Sequence, residues 1–187
     1  MTKKILALVM AVLMALSFAA CDKTIEATDA IQIESSVALL DSIWTTYGEE
    51  EKFPVMGGDF SAPVDGAAGA FNLTDKENAV ATLHIAEGDI ALVSEAATLI
   101  HAMNANTFTA AAYRLAEGTD GEAFVTSLKD SIKATQWMCG FPDTLVIYTI
   151  GDYVVAAFGN ADAINTFKTK LIAVYADATL SVEEPLV

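Results

Sequence analysis

Two runs rich in Val, Ile and Tyr, Thr144–Ile150 and Tyr153–Phe158, meet at Gly151-Asp152. A two-residue link containing glycine suits a tight hairpin, because glycine takes the positive φ that matches the twist of the flanking strands. The pair commits this part of the chain to an antiparallel sheet, and its neighbours must be compatible with one. Thr107 to Leu115 is extended by pattern. After it, Thr119-Asp120-Gly121-Glu122 fits a capping box opening a helix whose apolar face is Phe124, Leu128 and Ile132. A last helix starts at Asn160, buries Ile164, Phe167, Leu171 and Val174, and carries Lys168 and Lys170 toward the negative end of its dipole. The order strand, helix, strand, strand, helix predicts an α+β fold: an antiparallel sheet of three to four strands with helices packed on one face.

Upstream, Val37, Leu40, Trp44 and Tyr47 fall three or four apart between serines and Gly48, which predicts an amphipathic helix with a cap and a stop. Residues 49–69 hold Phe53-Pro54, Gly57-Gly58 and Ala62-Pro63 and read as a long irregular segment. Thr74-Asp75-Lys76-Glu77 is a second capping box, opening a helix from about Asp75 to Ala86. Residues 91–103 satisfy two readings. Leu92, Ala96, Leu99 and Met103 fit a helix, while Ala97 to Met103 also fits a strand turned at Asn104-Ala105-Asn106.

The amino terminus specifies an address. Lys3 and Lys4 precede an uncharged stretch from Ile5 to Ala20 that ends in small residues, the layout of an export signal. The stretch is too short for a lasting membrane span, which takes roughly 20 residues. Phe18-Ala19-Ala20-Cys21 resembles the lipobox of bacterial lipoproteins, with Phe18 where an aliphatic residue is usual, so Cys21 is the expected lipid-attachment site. The rival is a cut after Ala19, which would leave Cys21 able to pair with Cys139. The expected organisation is a signal peptide over 1–20, a polar tether over 21–34 and one α+β domain over 35–187. The expected location is the extracytoplasmic face of a cell membrane, held by the lipid.

Without Lys3 and Lys4, eight basic residues face twenty-five acidic ones, a formal charge of −17. Nucleic acid and anionic lipid surfaces both demand a basic patch and are disfavoured as partners. Arg114 is the sole arginine, which removes an arginine clamp for phosphate. The acid excess reads as a solvated surface.

The lipoprotein start, Ala110-Ala111-Ala112-Tyr113-Arg114-Leu115 leading through the helix to Lys133, and the hairpin Ile150-Gly151-Asp152-Tyr153-Val154-Val155 resemble the domain-of-unknown-function family 4358, lipoproteins of Gram-positive anaerobes. The resemblance covers about Phe71 to Tyr175 and implies an α+β domain with a strand over Ala97–Met103. It implies no activity.

Recognisable chemistry is sparse. His84 and His101 lack ligand partners at zinc-site spacing, and no metal or cofactor is expected. Ser94, Thr98 and His101 share a stripe if residues 91–103 are helical, where they read as a wet face rather than a nucleophile and its base. No phosphate loop, nucleophile elbow or calcium loop occurs, and no catalytic residue is assigned. Asp59 and Asp65, among glycines, are candidates for a cation or a sugar. Trp137-Met138-Cys139-Gly140-Phe141-Pro142 is dense in large apolar groups. Continuing the helical spacing past Ile132 leads toward Cys139 and puts Trp137 on another face, near Asp130 and Lys133. Trp137 and Phe141 are therefore the expected partner contacts, with Cys139 packed and inert. The reading favours a binding or accessory module over an enzyme, the alternative being a cell-envelope hydrolase whose carboxylates carry no signature.

Lipidation is directly testable. Mass spectrometry of the mature amino terminus should find Cys21 as the first residue carrying acyl chains, whereas an unmodified terminus at Ala20 would contradict the anchor.

Overall fold

The structure, a computed structural model, describes residues 32–103 and 107–186, and Ile33–Val187 form one compact unit. The expected export signal, Cys21 and nearly all of the expected tether lie outside the described residues. In chain order the elements are α1 (Ser36–Trp44), β1 (Val55–Gly57), β2 (Val64–Asp65), β3 (Gly69–Ala70), α2 (Lys76–Leu83), a 3-10 turn (Glu87–Leu92), β4 (Val93–His101), β5 (Phe108–Leu115), α3 (Gly121–Lys133), β6 (Thr144–Ile150), β7 (Tyr153–Gly159), α4 (Ala161–Val174) and β8 (Thr179–Pro185). The strands form one antiparallel sheet in the order β2-β1-β4-β5-β7-β6-β8, with β3 also paired to β4.

Two parts of the expected fold are corrected. The sheet has eight strands rather than three to four, and the four described helices cover both of its faces rather than one. On one face, Leu39, Leu40 and Ile43 of α1 and Ile164, Phe167 and Leu171 of α4 pack over Leu99, Ala110, Ala112 and Val155. On the other, Leu83 of α2 and Phe124, Leu128 and Ile132 of α3 pack over Ala111, Ile147, Val154 and Ala156. Every residue of β7 is buried. A strand covered on both sides reads as an unbroken apolar run, because neither set of alternating side chains meets water. That is why Tyr-Val-Val-Ala-Ala-Phe shows no alternation.

The four additional strands escape sequence detection for separate reasons. β1, β2 and β3 have two or three residues each, too few for any periodicity to register. β8 is an exposed edge strand of mixed composition, held by one ion pair on each face of the sheet, Glu183 with Lys168 of α4 and Glu184 with Lys133 of α3. Residues 91–103 resolve as strand β4 preceded by the 3-10 turn. Both capping boxes open helices, but the aspartate beside each threonine makes the cap. Asp75 Oδ1 accepts from Asn78 N–H, and Asp120 Oδ1 accepts from the N–H groups of Glu122 and Ala123. A carboxylate also favours the positive end of the helix dipole, which a hydroxyl does not.

The segment over 49–69 is packed against the sheet. Asp41 Oδ1 accepts from Ala68 N–H at 2.8 Å, Trp44 Nε1 donates to Gly66 O at 3.1 Å, and the buried Thr98 hydroxyl donates to Gly58 O at 2.8 Å. Its closest approach is between glycines. A Cβ on Gly69 would lie 2.4 Å from Gly58 N and 2.6 Å from Gly57 C, so two backbone runs meet where no side chain fits.

Gly69→Ala should therefore destabilise the domain by roughly 3 kcal/mol in denaturant unfolding. Gly88→Ala, where an added Cβ meets nothing within 4 Å, should stay within about 0.5 kcal/mol of the parent.

Candidate binding face at one end of the sheet

Antiparallel pairing brings the end of β4, the start of β5, the start of β6 and the end of β7 to the same end of the sheet. His101 closes β4 there. Its ring stacks on Phe53 with centroids 4.8 Å apart and planes 5° from parallel, and Phe53 in turn contacts Trp44, Tyr47 and Phe108 edge-on. His101 Nδ1 accepts the Met103 N–H at 3.0 Å, fixing the turn that follows the strand. An aromatic column anchored in the core thus holds the outermost residue of β4 in place.

Two cavities open beside this residue, and both are lined by Ile100 and His101. One, of about 350 Å³, is bounded by Met103, Phe108, Phe158 and the Gln136–Cys139 segment. The other, of about 360 Å³, is bounded by Met56, Asp59, Phe60, Pro63 and Thr82. Around them stand large apolar side chains left in water: Phe60 is 85% exposed, Met138 86%, Phe141 61%, Met103 54% and Met56 44%. Single exposed apolar residues are ordinary on soluble proteins, whereas a group on the loops of one sheet end marks a contact surface.

The two expected contact residues both reach this end, in different roles. Phe141 is exposed. Trp137 is half-buried, its ring 5.3 Å from Phe158 and 5.4 Å from His84. The helical spacing used to place it does not extend that far, because α3 stops at Lys133. Cys139, expected to be packed, is exposed and has no disulfide among the described residues. The loop that carries it lies outside the helix whose apolar face would have buried it. Met56 and Phe60 carry no sequence signal beyond being large apolar residues beside glycines and prolines, and Met103 and Met138 stand in stretches whose apolar character alone does not show that they are exposed.

The remaining candidates are dispersed or structurally engaged. On a strand, Ser94 and Thr98 face away from His101. Ser94 donates to Arg114 O, and Thr98 is buried against the glycine loop. Asp59 accepts from the Ser61 hydroxyl and from the N–H groups of Ser61, Ala62 and Asn72. Those bonds, led by the Ser61 hydroxyl, hold its carboxyl below the usual range and make it the organiser of a turn. Asp65 sits exposed on β2. No three His, Cys, Asp or Glu side chains gather in a metal-holding group among the described residues.

A third, larger groove of about 660 Å³ runs between α3 and β8 and contains Glu122, Glu183 and Glu184. Glu183 and Glu184 are paired to lysines, and the hydrogen bond from Lys133 lowers the Glu184 pKa. A general acid working near neutral pH needs the opposite shift. Among the described carboxylates with a resolved shift, Glu49, Glu51, Asp59 and Glu184, every one is lowered.

His84 backs the first cavity from the core side. It ends α2 at φ +54°, a left-handed conformation that among non-glycine residues asparagine, aspartate and histidine adopt most often. His84 Nδ1 and the Thr135 hydroxyl share a hydrogen bond of 3.0 Å. Burial against Trp137 and Phe158 pushes the imidazole pKa down to about 4.

The pH dependence follows from that shift. An unfolded histidine takes up its proton as pH falls through about 6.5, and the folded one only near 4, so between these values the unfolded state binds more protons. Stability is complete above pH 6.5 and should fall on acidification toward pH 4, by at most about 3 kcal/mol from this residue and less for any ring edge that meets water. His84→Asn, compatible with the left-handed backbone, should flatten that part of the stability curve in urea titrations between pH 4 and 7.

No family model, curated protein or solved structure matches this chain.

Proposed function

We propose that this chain is a lipid-anchored extracytoplasmic binding module that presents the loop end of its sheet to an apolar ligand or partner. One observation carries the reading: five large apolar side chains stand in water around two cavities that share Ile100 and His101. Exposed methionine and phenylalanine are costly for a soluble surface, and flexible thioethers adapt to varied apolar shapes. The strands beneath are buried on both faces, so the loops are presented from a rigid base.

The anchoring half of the proposal rests on the export signal and on Cys21, with the residues up to Glu34 as tether. A formal charge of −17 without Lys3 and Lys4 keeps the protein off nucleic acid and anionic head groups, leaving the lipid as its hold on the membrane. The likeness to family 4358 is consistent with that address and brings no chemistry. The hydrolase alternative gains no support from Asp59 or Glu184, whose carboxyls are held below the usual range by hydrogen bonds.

An environment-sensitive apolar dye tests the face. The folded chain at neutral pH should enhance dye fluorescence, and the double variant Phe60→Ser, Phe141→Ser should lose most of that signal. Both residues are exposed, so unfolding free energy should change by no more than about 1 kcal/mol. Unchanged dye binding in the variant would place the ligand elsewhere.

A further inference from the structure

The sulphur atoms of the described residues are not where sulphur usually goes. Among the described residues there are three methionines and one cysteine, residue types that ordinarily fill cores. All four are exposed, and all four lie at the same end of the sheet. Met103, Met138 and Cys139 line one cavity together, while Met56 lines its neighbour across the shared Ile100 and His101. Adaptable apolar contact accounts for the methionines but not for an exposed thiol beside them. What thioethers and a thiol add is soft donor character.

We propose that Met103, Met138 and Cys139 form a site for a soft monovalent cation, copper(I) by preference. The inference rests on the binding-face reading above and names a ligand for it. Soft sulphur donors select copper(I) over zinc, magnesium or calcium, which demand nitrogen, oxygen or several thiolates.

Positions and freedom suit the task. The hydrogen bond from Met103 N–H to His101 Nδ1 holds the Met103 backbone at the cavity edge, and with Nδ1 accepting, a neutral ring carries its proton on Nε2. His101 is therefore a positioning residue for the turn rather than a ligand. Each methionine has three rotatable bonds, so its sulphur can close on an ion held by the Cys139 thiolate. On binding, the Cys139 thiol gives its proton to solvent and the sulphur takes up the metal, with no change of oxidation state. Trp137, Phe108 and Phe158 line the same cavity, keep its wall apolar, and offer ring faces that attract a cation. Trp137 is also a reporter, since the other tryptophan, Trp44, is buried in the core on the opposite face of the sheet.

Silver(I), a redox-inert probe with the same donor preference, tests the site on the full chain. The wild type should bind one silver ion more than the triple variant Met103→Leu, Met138→Leu, Cys139→Ser, and should show metal-dependent quenching of tryptophan fluorescence. Cys139→Ser alone should weaken binding by at least about tenfold, and Trp137→Phe should abolish the quenching while preserving the stoichiometry. Excess zinc should not displace the silver. Equal silver uptake by wild type and triple variant, or displacement by zinc, would overturn the proposal. Dye binding measured on the same samples separates the two readings: dye binding without site-specific silver leaves the apolar face standing and removes the metal, and loss of both removes the face as well.

Discussion

The pairing of β5 with β7 is the constraint on which the rest of the structure depends. Ala110 lies opposite Ala157 and Ala111 opposite Ala156, so the middle of the sheet has the shortest possible side chains on both faces. Helices can approach such a surface closely, as α1 and α4 do on one face, while side chains of α2 and α3 pack over the other. Larger groups are confined to the ends of the pair, with Tyr113 donating to Leu83 O at 2.6 Å and Phe158 packing beneath Trp137. An antiparallel sheet commonly leaves one face to water, whereas here neither is available.

Covering both faces leaves only the loops and the sheet edges for contact with anything else. One edge is β2, two residues long, and the other is β8, tied down by ion pairs to α3 and α4. Short or charged edges resist pairing with other chains. The loops at the other end of the strands carry little that is exposed and apolar. The end bearing His101 is different because the aromatic column through Phe53 stiffens it while Met103, Met138, Phe60 and Phe141 project outward. Rigid support under adaptable side chains is the arrangement binding surfaces use to limit the entropy lost on association.

The distribution of charge complements this. Acids are spent on local order, with Asp59, Asp75 and Asp120 accepting backbone N–H groups and Glu183 and Glu184 fastening the last strand. Arg114 is engaged with Asp152 at 2.8 Å and lies over the Tyr153 ring. Of these acids, only Asp59 touches the cavities of the apolar end, with its oxygens already committed to the turn.

Local signals in the sequence determined the β6–β7 hairpin, the strand over β5, and the helices opened by Asp75 and Asp120, because each depends on turn, cap or periodicity within a few neighbouring residues. They also determined that Trp137 to Pro142 would be an apolar connection. Tertiary structure alone decided the strand count, the covering of both faces and the gathering of Met56, Phe60, Met103 and Cys139 at one end. β1 and β3 exist only because β4 offers them hydrogen-bonding edges, and Gly57 and Gly69 allow the backbones to touch. A two-residue strand has no period of its own, and residues from Met56 to Cys139 become neighbours only when the sheet has formed. The physical reason is range: caps and turns are satisfied within one or two turns of chain, whereas burial and convergence are properties of segments far apart in sequence.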